Sequence, residues 1–194
     1  MKIGFLDRLI GTLQTYIARP WYPPLLGVLA ALDHFVFVIP TDGLLVTSVI
    51  AAPKRWLSTF LWITLGSVVG GVVLAAFLQH YGTPFLEWLS PGILETHYWK
   101  LTISWVDHYG LWALFAITAL PIFQHPVIAI TALAGIPLGK IALFMLGGRI
   151  VKYAVFTWLS IHAPKVLFRM RPVHKEIDEV IEALPHKPEK KPRQ

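Results

Sequence analysis

Two stretches decide the fold: residues 25–52, LLGVLAALDHFVFVIPTDGLLVTSVIAA, and residues 111–136, LWALFAITALPIFQHPVIAITALAGI. Each consists of two short apolar runs separated by a proline-marked polar break. In the first, Leu25 to Ile39 stops at Pro40-Thr41-Asp42-Gly43, and Leu44 to Ala52 follows. In the second, Leu111 to Leu120 halts at Pro121, and Val127 to Ile136 resumes after Gln124-His125-Pro126. Crossing the hydrocarbon core of a bilayer takes ~20 helical residues, so no single run reaches across. Proline removes a backbone donor and clashes with the preceding turn, which ends the helix. In lipid, the carbonyls freed there need protein or a water-filled cavity. These constraints predict two re-entrant helical hairpins whose tips meet inside a bilayer. One long kinked helix through each stretch is the alternative.

Two other stretches are long enough to span. Residues 56–79 carry no charge, and residues 138–162 are interrupted by Lys140, Arg149 and Lys152. The whole chain of 194 residues is 55% apolar and 14% charged, with a mean hydropathy of +0.59. An ordinary soluble domain is ~25% charged. A single domain of 21.8 kDa has no core large enough to hide that apolar surplus, and a water-soluble chain would expose it. The composition predicts an all-α membrane protein. With no cysteine, disulfides, thiolate chemistry and Cys-ligated metals are excluded. No HExxH or similar ligand spacing occurs, so neither a metal nor another cofactor is expected.

Charge sets the expected topology. Lys2, Arg8 and Arg19 precede the first hairpin and Lys54-Arg55 follow it. If the hairpin re-enters, all five lie on one face, as the positive-inside rule prefers. Residues 56–79 then cross to an outer segment, 81–110, which holds Glu87, Glu95 and Asp107 against Lys100. The second hairpin, 111–136, dips in from that side, and 138–162 brings the chain back. Both termini are then cytoplasmic. Leu6, Leu9, Ile10, Leu13 and Ile17 recur at helical spacing within 1–19, the pattern of an amphipathic helix in the membrane interface rather than of a cleaved signal. Amphipathic pieces also occur in the outer segment, around Phe85 to Leu89 and Leu101 to Val106. Trp21, Trp56, Trp88, Trp99, Trp105 and Trp112 sit towards segment ends, as interfacial anchors do. Residues 1–164 thus form the membrane domain and 165–194 a basic tail. In that tail Ile177, Val180, Ile181 and Leu184 mark a short amphipathic helix before a Pro/Lys-rich end suited to anionic lipid. Nucleic-acid binding is a poor fit to so short a charged tail.

The two halves share an order: short helix, proline break, short helix, then a full span opened by proline (Pro53, Pro137) and containing a glycine pair (Gly70-Gly71, Gly147-Gly148). Entered from opposite sides, this is an inverted repeat, the architecture in which secondary transporters place broken helices at the midplane. Gly66 and Gly70 form a GxxxG, used here only as a packing signal.

The intramembrane ionisable residues are Asp33, His34, Asp42, His125, Arg149 and Lys152. A charge at mid-bilayer costs at least ~2.5–3.5 kcal/mol, so each needs a partner, a cavity or a role. Structural pairing of Arg149 with Asp33 or Asp42 is one reading. A proton-exchanging or anion-binding site is the other, with Asp33, His34 and His125 as proton carriers and Arg149 and Lys152 suited to a phosphate headgroup. His80, His97, His108, His162, His174 and His186 lie at segment ends or in loops. No GxSxG or lipid-phosphatase signature is present, so an enzyme is not expected.

At these residues the chain resembles the DedA family of the VTT-domain (SNARE-associated Golgi) superfamily, especially its short YqaA-like branch. The stretches that carry the resemblance are 33–42 (DHFVFVIPTD), 51–56 (AAPKRW), 65–71 (LGSVVGG), 120–126 (LPIFQHP), 132–135 (ALAG) and 148–152 (GRIVK). Asp33 is similar to the family's acidic residue before the first hairpin, and Pro40-Thr41-Asp42 to its hairpin motif. Larger members carry two Arg around the second proline motif, where this chain has Thr118 and Gln124, so the resemblance implies that Arg149 supplies the positive charge. It also implies a bacterial inner-membrane transporter or scramblase that moves phospholipid or polyprenyl-phosphate headgroups between leaflets, with proton coupling and a homo-oligomer both open. A membrane assembly protein whose buried ion pairs are only structural is the alternative.

Because the chain has no cysteine, Lys54→Cys is a clean reporter of topology. A membrane-impermeant maleimide is expected to modify it in inside-out vesicles and not in intact cells; modification from outside would overturn the re-entrant reading.

Overall fold

Proline and glycine cut the apolar runs into helices wherever the backbone cannot continue. A computed structural model describes residues 16–17, 19–36, 40–122 and 124–163. Among them lie seven α-helices and no strand: α1 Tyr22–Val36, α2 Thr41–Ala51, α3 Trp56–Leu89, α4 His97–Tyr109, α5 Leu111–Ala119, α6 His125–Leu133 and α7 Leu138–His162. Most of the expected interfacial helix over 1–19 and the tail over 165–194 fall outside the described residues.

Three boundaries differ from the sequence expectation, each for a backbone reason. Asp42 and Pro126 stand in the first turns of α2 and α6, not in the breaks before them. A helix leaves its first N–H groups without intrahelical partners, so proline fits there. The first long helix also runs on past Gln79 to Leu89, with a kink at Gly82 (φ 67, ψ −156) and Pro84 two residues later. Glycine adopts this positive φ without a Cβ penalty, and proline prevents the helix from resuming straight.

Side-chain bonds show how the helices return. The Tyr22 hydroxyl, at the start of α1, lies 2.9 Å from Ser48 Oγ near the end of α2. Arg55 Nη1 donates to the carbonyls of Ile17 and Arg19, both at 3.3 Å. The α1–α2 pair therefore folds back on itself and does not form one kinked rod. Its two ends meet at the start of α3. At the far end of α3, Gln79 Nε2 donates to the Ile136 carbonyl at 2.7 Å, just before α7. The Trp112 ring at the start of α5 packs edge-on against Phe144 of α7, with centroids 5.3 Å apart. The α5–α6 pair thus also folds back, and it opens from the opposite end of the molecule. α3 runs from one end to the other, and α7 runs back.

Packing follows the same exchange. α1 lies along α3 and α5 along α7, whereas α2 packs on α7 and α6 on α3. Small residues make the close contacts. A Cβ on Gly66 would strike the Gly27 backbone, one on Gly70 the Ala31 backbone, and one on Gly27 would sit 2.7 Å from the Trp62 carbonyl. In the other half, a Cβ on Gly148 would lie 2.6 Å from the Phe115 carbonyl and one on Gly147 3.1 Å from the Phe115 ring. Gly71 faces Met145 and His34.

Two apolar cores result. One, at the α1 start, contains Tyr22, Leu26, Leu45, Val49, Ile63, Tyr153 and Phe156. The other, at the α7 start, contains Leu74, Leu78, Leu114, Val127, Ile141 and Met145. Elsewhere the distribution is inside out. Thr59, Thr64 and Ser67 of α3 and Arg149, Lys152 and Thr157 of α7 are buried. Leu57, Leu61, Leu65, Val69 and Val73 of α3 and Leu143, Ile150, Val151 and Val155 of α7 face outwards. Two helices, within Pro53–Leu89 and Leu138–His162, are long and apolar enough to cross a membrane.

Filling a seam is expected to be costly. Gly66→Ala and Gly148→Ala should each destabilise the purified protein by ~1–3 kcal/mol through overpacking. Gly139→Ala, where a Cβ meets nothing within 4 Å, should stay within ~0.5 kcal/mol. Thermal unfolding of the three variants checks the contrast.

Candidate functional site

The site grows from one face of α7. Arg149, Lys152 and Tyr153, at spacings of three and four, project together, and their exposures are 0%, 3% and 0%. Arg149 lies eleven residues after Leu138 and thirteen before His162, which puts it roughly 17 and 20 Å from the two helix ends at ~1.5 Å per residue. Along α7 it sits between Met145 of one core and Tyr153 and Phe156 of the other. The polar layer is therefore central.

Arg149 donates from Nη1 to the Tyr153 hydroxyl at 3.1 Å, and its Nη2 lies 3.2 Å from His34 Nε2. A guanidinium has no acceptor, so His34 Nε2 must accept. The other ring nitrogen, Nδ1, is 3.2 Å from the Ala30 carbonyl one turn back on α1, and a carbonyl can only accept. His34 is thereby held as the neutral Nδ1–H tautomer. Arg149 Nε is buried with no hydrogen-bond partner among the described residues.

Lys152 has a different arrangement. Its Nζ donates to both oxygens of Asp42 on α2, at 2.7 and 2.9 Å, and lies 4.9 Å from the centroid of the Tyr153 ring. Arg149 Cζ is 5.7 Å from the same centroid. Cation–π attraction at these distances adds to the packing. From α6, the His125 ring meets that of His34 with centroids 5.5 Å apart and lies against the backbone of Asp33. Its neighbour Gln124 is buried, with Oε1 lacking a hydrogen-bond partner among the described residues. Four helices (α1, α2, α6 and α7) thus contribute to one enclosed cluster.

Five of the six sequence candidates, His34, Asp42, His125, Arg149 and Lys152, converge here. The sixth, Asp33, is half-buried beside them on α1. Of the two carboxylates expected to pair with Arg149, Asp42 bonds Lys152 with both of its oxygens. Asp42 pairs with Lys152 because both face the α2–α7 contact, and Arg149, one turn earlier on α7, meets α1 and its neutral histidine. Tyr153 was not among the candidates; its signal was its place four residues after Arg149. Gln124 stood out only through its position beside His125. Pro40 caps α2, Pro121 lies in the break after α5, and Pro126 opens α6 next to His125. Among the described residues no group of three or more His, Asp or Glu side chains is suited to a metal.

No protein-family model, curated protein or solved structure matches the chain. The site must be read from its own chemistry. It encloses Arg149, Lys152 and Asp42 with the Tyr153 hydroxyl and the His34 and His125 imidazoles around them.

Removing one member of the Lys152–Asp42 pair strands the other charge. Lys152→Met is expected to cost ~3–5 kcal/mol, and Lys152→Met with Asp42→Leu much less than that. A double-mutant cycle by denaturant unfolding measures the coupling.

Proposed function

We propose that the chain is an integral membrane protein built as an inverted repeat of two re-entrant hairpins. In this reading it moves lipids bearing a phosphate headgroup, a phospholipid or a polyprenyl phosphate, between leaflets. The observation that carries the reading is the fully buried Arg149 guanidinium, bonded to Tyr153 and His34 and midway along a helix long enough to cross a bilayer. A charge in that position is expensive, and inside membranes such charges mark substrate and ion pathways. The apolar outer faces of α3 and α7 suit lipid. The folded-back pairs that open from opposite ends support re-entry from two leaflets, since irregular backbone at membrane depth must be buried in protein or line a cavity. The resemblance of the motif order to the DedA family points the same way, as does its implied bacterial inner-membrane setting with both termini cytoplasmic.

In this mechanism a phosphate oxygen takes the vacant Arg149 Nε–H and competes with Tyr153 and His34 for the Nη donors. Asp42 holds Lys152 out of the way and keeps the two halves together. Transport needs the enclosed cluster to open alternately, and the proline breaks beside Asp42 and His125 are where the helices can yield.

A second reading, a membrane assembly protein whose buried charges are structural, is favoured by the mutually satisfied Lys152–Asp42 pair. Reconstitution separates the two. Arg149→Met is expected to slow headgroup translocation in proteoliposomes at least ~10-fold, because a hydrogen bond to a charged group contributes ~1.5–3 kcal/mol, and Arg149→Lys is expected to retain part of the rate. A folded Arg149→Met that translocates at the unsubstituted rate would leave only the structural reading.

A further inference from the structure

Buried hydroxyls are distributed unevenly about the ion cluster. We propose that the protein holds a file of water between that cluster and the end of the molecule bearing Lys54, and that it is closed to water at the opposite end. Such a one-sided route is independent of lipid movement and requires only that the chain span a membrane.

A hydroxyl on a helix can satisfy itself by bonding a carbonyl one turn back. Thr118 and Thr131 each do so twice, at 2.7 and 3.1 Å and at 2.8 and 3.0 Å, and Ser160 does so at 2.7 Å. Thr64 of α3 and Thr157 of α7 are as deeply buried, each 3% exposed. Neither Oγ1 has a hydrogen-bond partner among the described residues. A buried hydroxyl left without a bond is costly, and the common remedy in folded proteins is a buried water shared with other polar groups.

Both hydroxyls lie on the same side of the cluster's centre. Gly71 of α3 and Met145 of α7 face each other, and the two helices run in opposite directions. Thr64 stands seven residues before Gly71, and Lys152 seven after Met145, roughly 10 Å in each case. Thr64 therefore shares a level with the Lys152–Asp42 pair. Thr157 is five residues further along α7, roughly 7 Å nearer the α3 start. Thr59 and Ser160, buried as well, continue the polar positions towards that end. The core there also includes Tyr22 and Tyr153, whose hydroxyls bond Ser48 and Arg149. Beyond Gly71 the character changes. Leu74, Ala75 and Leu78 of α3 join Ile128, Ile141 and Met145 in the core at the α7 start, where a water would find few partners.

The chain has no cysteine, so single thiols can report where water reaches. Full-length Thr64→Cys, Thr157→Cys and Thr131→Cys are each placed in vesicles and exposed to silver ion from one side at a time. A thiol binds the ion as thiolate, which apolar surroundings suppress. Thiols left unbound are then counted with a maleimide after unfolding, and Lys54→Cys identifies the side. The thiols at 64 and 157 are expected to be lost from the Lys54 side and retained from the other, and the thiol at 131 to be retained from both. Loss from both sides alike, retention at 64 and 157 from both, or loss at 131 as fast as at 64 would each overturn the one-sided route. Thermal unfolding of the purified Thr64→Val and Thr157→Val proteins tests the water itself. Valine keeps the shape and removes the hydroxyl, so a hydroxyl that binds water predicts a lower midpoint, with Thr64→Ser and Thr157→Ser staying nearer the unsubstituted value. An unchanged or raised midpoint is what removing a bare, unbonded hydroxyl gives, and it would overturn the proposal.

Discussion

A guanidinium in the middle of a 25-residue apolar helix has to be accommodated, and the rest of the architecture can be understood from that requirement. Arg149 cannot reach either end of α7, so its donors must be met where they are. The Tyr153 hydroxyl one turn along the same helix meets one, and His34 on α1 meets another. For His34 to approach, α1 must lie close to the long helices, and the glycine contacts Gly66–Gly27 and Gly70–Ala31 let it do so. For Lys152, one turn further on, α2 must bring Asp42 against α7. Both requirements are met only if the chain breaks and folds back between α1 and α2.

Helix contacts in the second half parallel those in the first. α5 lies on α7 through Gly147 and Gly148, as α1 lies on α3, and α6 crosses to α3 as α2 crosses to α7. Each second arm therefore packs on the long helix of the other half, so neither half closes its core alone. The polar layer lies between the two apolar cores. Inward-facing threonines satisfy themselves locally, as Thr47, Thr118 and Thr131 do by bonding carbonyls one turn back. That local solution is available to a hydroxyl but not to a guanidinium or an ammonium, which is why Arg149 and Lys152 determine the long-range contacts.

Much of the fold was legible in the sequence because the signals were local. The breaks at Pro40 and Pro121 and the start of α7 after Pro137 follow from proline's missing donor. The length of α7 follows from its apolar run. The kink at Gly82 was less visible, since a glycine takes a positive φ only where the surrounding chain demands it. The site was half legible. Five of its members were marked by being ionisable in apolar surroundings, but Tyr153 carries no charge and resembles any aromatic residue of a long helix. The pairing was not legible, because it depends on which side of α7 faces α1 and which faces α2.

The sequence alone determined an all-helical chain with four half-length apolar runs, two runs long enough to span, and charged residues stranded inside them. Those are consequences of backbone chemistry and of run length, which neighbouring residues set. Only the tertiary structure decided that Lys152 pairs with Asp42 while Arg149 bonds Tyr153 and His34. A partner across 110 residues is chosen by how the helices rotate and cross, and side-chain packing settles that rotation only once all of the helices are together.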